Sequence, residues 1–193
     1  TCVAPDYVFV HEDQRAEFVE AVRLAVKRFY GDRPYESPDY PRIIHQEGTE
    51  RLVRLIHSSG QVVVGGEVNV VEKYIAPTVL IDVEADSPIM REEIFGPILP
   101  VLTYREIDDV IRFVNKREKP LALYYFGPEQ EAREVLNRTS SGGACVNDTI
   151  VHLANPRLPF GGVGMSGVGK YHGKASFELF SNLRSVVKSF TFF

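Results

Sequence analysis

Apolar and polar positions near the start of the chain follow first the period of a strand and then that of a helix. The short apolar run 7–11 predicts a β-strand, and apolar residues recur every three or four positions over 12–31, which predicts an amphipathic helix ending at Gly31. The residues predicted to share one face of this helix are Phe18, Val22, Ala25 and Phe29. Two short apolar runs flank Gly65 and Gly66, and this pattern predicts a tight β-hairpin.

From residue 97 onward, predicted strands alternate with predicted helices. Apolar runs at 97–104, 121–126 and 142–148 are separated by segments with a helical stripe. Such a β-α-β-α-β order predicts parallel strands with right-handed crossovers, covered by helices. Ligands of such sheets bind beyond the carboxyl ends of the strands, so Asn147 and Asp148 are predicted to lie near a site.

The segment 149–173 has neither period and is rich in glycine and proline. It contains G-x-G-x-x-G at Gly162, Gly164 and Gly167, and also the start of a P-loop pattern, but Tyr171 stands where a P-loop needs Ser or Thr. Only 26 residues follow Gly167, which leaves little room for the βαβ unit of a dinucleotide fingerprint. A phosphate-binding loop is therefore disfavoured. A short helix and an apolar strand at 185–190 are predicted to follow.

Composition excludes several classes of protein. The 193 residues are 44% hydrophobic and 25% charged, which is typical of a globular chain with one domain as the default. A net charge of -4 without a basic stripe disfavours nucleic acid as a partner. No apolar run is long enough to span a membrane and no signal peptide is recognisable, so a cytoplasmic location is predicted.

Each residue with a candidate functional role can also be explained by an ordinary structural role. Cys2 is either a nucleophile or an ordinary terminal thiol, and its sequence neighbours include no base that would decide between them. Cys145 lies in a predicted strand and is expected to be buried. In the segment 90–97 an acidic pair can bind sugar hydroxyls and Phe95 can lie against a flat ring, but a charged turn whose Phe fills the core is the favoured interpretation of these residues. The five histidines lack metal-ligand spacing, and no metal site is predicted.

Four segments taken together resemble the aldehyde dehydrogenase superfamily. They are TCVAPDYV, MREEIFGPILPV, GGACVND and NPRLPFGGVGMSGVGKYHGKASFELFSN, in the family's order and at about its separations. APDYV and LPFGGVGMSGVGKYHG look most like the class 3 branch. The resemblance implies an α/β fold, a three-layer catalytic domain over 1–193 with a mostly parallel sheet and helices on both faces. It also implies that a dinucleotide-binding domain, an oxyanion-binding Asn and a general-base Glu lie upstream.

The resemblance implies NAD- or NADP-dependent oxidation of aldehydes to carboxylic acids. Cys2 matches the nucleophile, which forms a thiohemiacetal and, after hydride transfer to the cofactor, a thioester that water hydrolyses. Glu93 matches the carboxylate that binds the nicotinamide ribose, with Phe95 beside it. Phe160 matches the aromatic residue of the aldehyde pocket, and Asn147 with the loop after it matches the segment that supports that pocket. The glycines of 161–169 are then expected to serve tight turns and close packing.

The same resemblance sets expectations for assembly and location. It implies a homo-oligomer, most simply a dimer, with 183–193 as a candidate oligomerisation strand and tail. Class 3-like enzymes can continue into a hydrophobic tail, so membrane association is expected only through a segment absent here. The isolated chain is predicted to be inactive, since the base and the cofactor domain are missing from it. Two alternatives stay open: a non-catalytic remnant that serves as an assembly module, and cofactor-independent ester or thioester hydrolysis at Cys2.

Overall fold

The computed structural model describes residues 1–190, which fall into two compact units, Thr1–Val110 and a second that begins at Ile111. The strands of the first unit are β1 (Val8–His11), β2 (Gln61–Val64), β3 (Val68–Asn69), β4 (Tyr74–Ile75), β5 (Thr78–Ile81) and β6 (Ile98–Tyr104). Its helices are α1 (Arg15–Tyr30) and α2 (Gln46–Ser59), and α3 (Ile107–Asn115) crosses the boundary. The prediction of a single catalytic domain stays a prediction.

A four-stranded sheet organises the first unit. Its strand order is β1-β6-β5-β2, with β6 parallel to both neighbours and β2 antiparallel to β5. The longest strand, β6, is central and carries buried residues at consecutive positions, as is typical of a strand covered on both faces. Val10, Val79 and Val101 form a buried cluster from three neighbouring strands, and Phe18 and Val22 of α1 pack against it.

The predicted hairpin at residues 61–70 is wrong. Both strands form, but β2 pairs with β5 and β3 pairs with β4. Gly65 and Gly66 have φ of 67° and 94°, so the chain bends there without folding back on itself. A Cβ on Gly65 would lie 2.1 Å from the carbonyl oxygen of Pro77, which shows how closely the bend approaches the segment before β5.

The helix predicted over 12–31 is confirmed as α1, and Gly31 ends it with φ of 76° and an N–H bonded to the Lys27 carbonyl. The predicted inward face is wrong at one position, because Phe29 is 66% exposed. Phe29 lies in the last turn of α1, beyond the part of the helix that packs against the valine cluster. Its ring contacts Tyr30 instead.

The second unit contains the predicted strand-helix-strand order. Its elements are β7 (Ala122–Tyr125), α4 (Glu129–Arg138), β8 (Gly143–Val146), α5 (Val151–Ala154) and α6 (Gly173–Leu179). β7 and β8 are parallel, as predicted, and α4 connects them with Ala132 and Val135 buried. The carboxyl ends of the two strands therefore lie side by side, which brings Asn147 next to the residues that follow β7.

The strand predicted at 185–190 is not formed. Among the described residues no strand pairs with this segment, and Val186, Val187 and Phe190 are largely exposed. A strand needs a hydrogen-bonded neighbour to persist. Residues 191–193 of the candidate oligomerisation strand 183–193 lie outside the described residues, so its role in assembly stays a prediction. No helix in the described part of the chain is long and apolar enough to cross a membrane.

Candidate active site

The start of the chain forms a turn that leaves Cys2 exposed. The N–H of Ala4 donates to the carbonyl oxygen of Thr1 at 3.0 Å, which closes the turn around Cys2. Val3 is 1% exposed and anchors the segment in the core, whereas the Cys2 residue itself is accessible to solvent. The turn thus holds an accessible thiol on a fixed backbone.

A cavity of about 200 Å³ lies between this turn and residues 93–98. Thr1 and Ala4, on either side of Cys2 in the sequence, line it together with Glu93 and Phe95. Two motifs that the sequence separates by about ninety positions are therefore neighbours in the first unit. The cavity brings the segment of the predicted nucleophile next to both predicted cofactor-binding residues.

The predicted cofactor-binding turn presents Glu93 and Phe95 outward and Ile94 inward. Ile94 is 1% exposed, whereas Phe95 is 62% exposed and has φ of 49°. The alternative in which Phe95 fills the core is therefore wrong. The left-handed backbone at Phe95 is costly for a residue with a side chain, so neighbouring contacts must hold this turn in place.

Asp6 connects the two segments through a hydrogen bond. Its Oδ1 accepts from the N–H of Ile94 at 2.9 Å, across 88 positions of sequence. Burial raises the pKa of the Asp6 carboxyl, the bond from Ile94 opposes this effect, and the charge of Glu93 adds to the rise. The sequence offered no sign of this role, because nothing in the spacing of an aspartate and an isoleucine predicts their pairing.

We expect Asp6→Asn to change how stability depends on pH. Since the folded-state pKa of Asp6 lies above 3.8, the folded protein holds more protons there than the unfolded protein in the range just above this value. The Asp6 contribution to stability is thus greatest at low pH and falls as the pH rises through that range. Asn does not titrate, so the stability of the variant relative to the native protein should rise as the pH increases from about 4 through the folded-state pKa of Asp6. Urea unfolding at a series of pH values measures this, and parallel curves for the two proteins would contradict it.

Asn147 joins the ends of β7 and β8 in the second unit. Its Oδ1 accepts from the N–H of Gly127 at 2.8 Å, and its Nδ2 donates to the Gly127 carbonyl at 3.0 Å. Its own N–H donates to Tyr125, and its φ is 56°, which asparagine tolerates better than most residues. The side chain therefore holds the backbone at the carboxyl ends of the strands, and its support of an aldehyde pocket stays a prediction.

Phe160 is half-buried in an aromatic cluster. Its backbone exchanges two hydrogen bonds with Tyr171, at 2.8 and 2.9 Å. Its ring lies 5.9 Å from the rings of Tyr171 and His172 and 6.0 Å from that of His152. The cluster fixes the orientation of Phe160, and a fixed aromatic ring is a suitable wall for an apolar substrate.

Cys145 is buried, as predicted, but it has a partner that the sequence did not indicate. Its Sγ lies 3.2 Å from Nδ1 of His152. Burial lowers the pKa of His152, so the neutral imidazole is favoured and can accept from the thiol. The seven-residue separation spans the end of β8 and α5, and only the path of the chain between them makes the contact possible.

The glycines of 161–169 provide close backbone packing, as expected. A Cβ on Gly161 would lie 2.2 Å from the carbonyl oxygen of Gly169, and one on Gly162 would lie 2.2 Å from the carbonyl carbon of Ser166. Lys170 crosses the base of the loop, where its Nζ donates to the carbonyl oxygens of Gly142 and Gly161. A lysine next to a glycine-rich pattern suggests phosphate binding, but here its ammonium group is bonded to the backbone.

Replacement of Lys170 by methionine is expected to lower the free energy of unfolding by about 1–3 kcal/mol, because two carbonyl groups lose a charged donor. Lys174→Met serves as the matched control, since Lys174 is exposed and pairs with Glu178 one turn away, so a loss below about 0.5 kcal/mol is expected. Chemical denaturation of both variants measures the difference. Equal losses would show that the Lys170 bonds contribute no more than a surface ion pair.

Within the described residues, no three His, Cys, Asp or Glu side chains are grouped so that they could hold a metal ion.

The sequence profile of the aldehyde dehydrogenase family matches residues 1–186. The chain belongs to the aldehyde dehydrogenase family. Its α/β architecture, with a mostly parallel sheet and helices, is that of the aldehyde dehydrogenase fold, as the resemblance implied.

Relatives of this aldehyde dehydrogenase chain include aldehyde dehydrogenase family 3 member B1 of Rattus norvegicus, 53% identical over 186 residues. The match covers 96% of this chain and 40% of that protein, so the chain spans about two-fifths of its relative's length. The substrate-bound structure of AldH from Staphylococcus aureus has a TM-score of 0.91 and 47% identity, over 98% of this chain and 43% of that one. The NAD+ complex of an aldehyde dehydrogenase from Bacillus cereus has a TM-score of 0.81 and 27% identity, over 96% and 39%.

Proposed function

We propose that the full-length protein oxidises aldehydes to carboxylic acids with NAD or NADP, and that this chain supplies its nucleophile and part of its cofactor site. One observation carries the proposal: the cavity between the Cys2 turn and the turn at residues 93–96. It places a carboxylate and an aromatic ring beside the backbone that holds an accessible thiol. Membership of the family supports the same activity.

The proposed chemistry begins at Cys2. Its thiolate adds to the aldehyde carbonyl carbon, and the carbonyl π electrons move to oxygen to give a thiohemiacetal. The carbon then loses its hydrogen as hydride, which leaves a thioester on Cys2, and water cleaves that thioester to a carboxylic acid and the free thiol. Cys2 suits this role because it is exposed, whereas the buried thiol of Cys145 faces His152. The base that activates water is expected to lie upstream of this chain.

The residues at the cavity fit a nicotinamide nucleotide. The exposed Glu93 carboxylate offers acceptors for ribose hydroxyls, and the exposed Phe95 ring offers a flat apolar surface beside it. When bound, NAD or NADP supplies the hydride acceptor. The two residues would hold its ribose next to the Cys2 segment. The NAD+ complex of the Bacillus cereus relative supports a nicotinamide cofactor, without deciding between NAD and NADP for this protein.

We infer that the substrates are aromatic and medium- or long-chain aliphatic aldehydes, which suit an apolar wall at Phe160. The cluster around Phe160 supports this inference because three neighbouring rings fix the apolar Phe160 ring in place. Asn147 would contribute by supporting the backbone at the strand ends. The proposed assembly is a homodimer of the full-length protein.

Absorbance of the reduced nicotinamide tests the proposal. The full-length protein and the 193-residue chain alone are each assayed with benzaldehyde and hexanal, offering NAD and NADP in turn. Turnover by the full-length protein, together with none by the chain alone, is expected. Ester hydrolysis without nicotinamide, and no aldehyde oxidation, would favour cofactor-independent hydrolysis, and the absence of both activities would favour an assembly module.

A further inference from the structure

Arg51 of α2 forms hydrogen bonds with the backbone of the turn that carries Glu93. Its Nη2 donates to the carbonyl oxygen of Ile94 at 2.5 Å, and its Nη1 donates to that of Glu93 at 3.4 Å. The same Nη1 lies 3.5 Å from the Glu92 carboxylate. A planar guanidinium with several donors can make these contacts together.

Asp6 holds the same turn through a different backbone group. It accepts from the N–H of Ile94, whereas Arg51 donates to the C=O of that residue. Both polar backbone groups of Ile94 are therefore bonded to ionisable side chains, one from the Cys2 segment and one from α2. The residue that carries these bonds lies between Glu93 and Phe95.

Packing against α2 limits the turn further. A Cβ on Gly96 would lie 2.6 Å from Cδ1 of Leu52, the neighbour of Arg51, and Leu52 is 1% exposed. The turn therefore rests directly on the buried face of the helix. With Phe95 in the left-handed region, the conformation depends on contacts from its surroundings, and Arg51 bonds to two of the carbonyl groups of the turn.

We propose that Arg51 is a positioning residue for the cofactor, which acts through the backbone of Glu93 and Ile94 to set the place of the Glu93 carboxylate. The inference rests on the proposed function, since it assumes that Glu93 binds the nicotinamide ribose. Arg51 touches neither substrate nor cofactor in this role. Asp6 bonds to the N–H of Ile94 and so connects the same turn to the segment of the nucleophile.

The first test compares Arg51→Gln with Arg54→Gln in the full-length protein. Gln is neutral and shorter than Arg, so it cannot keep both charge-assisted bonds, and the KM for NAD or NADP is expected to rise roughly 10- to 100-fold, with a change of less than about twofold in the KM for the aldehyde. Arg54 is exposed on the same helix, and its replacement is expected to leave both constants unchanged. Equal cofactor KM values for native protein and Arg51→Gln would overturn the proposal.

The second test asks whether Arg51 acts through Glu93, by measuring Glu93→Gln and the double variant. If it does, Arg51→Gln adds little to the cofactor KM once the carboxylate is gone, so the two effects combine to less than their product. Independent effects that multiply would show a merely structural role and overturn the proposal. If Glu93→Gln itself leaves the cofactor KM unchanged, the assignment of Glu93 in the proposed function is wrong, and the inference falls with it.

A folding control accompanies both tests. Thermal unfolding shows whether Arg51→Gln is folded, and Arg51→Lys provides a milder change if it is not. Lysine can donate to one carbonyl but cannot reproduce the planar pair of donors, so an intermediate cofactor KM is expected. A folded Arg51→Lys protein with the native cofactor KM would also contradict the positioning role of Arg51.

Discussion

Replacing Cys2 with alanine is expected to lower kcat/KM for aldehyde oxidation by the full-length protein by about 10⁴-fold or more. The variant lacks the sulfur to which the substrate bonds, and no neighbouring group in the described turn is a comparable nucleophile. Its fold should be unaffected, because Cys2 is exposed and the turn is anchored by Val3. Nicotinamide reduction with saturating aldehyde and cofactor measures the effect.

Cys145→Ala is the matched control for this prediction. Cys145 is buried against His152, so its replacement is expected to reduce stability by about 1 kcal/mol and to leave turnover within a few-fold of the native value. Should Cys2→Ala keep full activity, the nucleophile has been assigned wrongly. Loss of activity in Cys145→Ala alone would instead point to the buried thiol.

Among the substitutions proposed for this protein, Gly162→Ala is expected to cause the largest decrease in the free energy of unfolding, about 3 kcal/mol or more. Aldehyde oxidation is expected to be lost with it. The added Cβ would lie 2.2 Å from the carbonyl carbon and oxygen of Ser166 and 2.4 Å from the nitrogen of Gly167. These are backbone atoms, which cannot rotate away as the end of a side chain can. The loop after Phe160 would have to open, and thermal unfolding of the full-length protein measures the cost.

Gly164→Ala is the control that separates a steric clash of the added Cβ from the strain of a positive φ. Gly164 has φ of 63°, but the nearest atom to its Cβ would be Cδ of Lys119 at 3.7 Å, so only backbone strain of about 1 kcal/mol is expected. A similar drop in melting temperature for both variants would show that close packing at Gly162 is not what the loop requires.

Local periodicity was sufficient for most elements of the fold. The run of β6 and the order β7-α4-β8 each depend on residues close in sequence and are confirmed, as is helix α1 except for the predicted inward position of Phe29. The pairing partners of the strands were harder to predict, because the local sequence of a strand does not specify which distant strand it pairs with. The predicted hairpin at Gly65 and Gly66 failed for this reason, and so did the strand at 185–190.

The sequence by itself determined the family, the α/β class and the residues expected to react, because motifs and periods are local properties. Only the tertiary structure decided that the Cys2 turn shares a cavity with Glu93 and Phe95, and that Phe95 faces outward. It alone revealed Asp6 and Arg51 on either side of Ile94. Those contacts join positions 43 and 88 residues apart, and a chain brings such positions together only through the packing of whole elements.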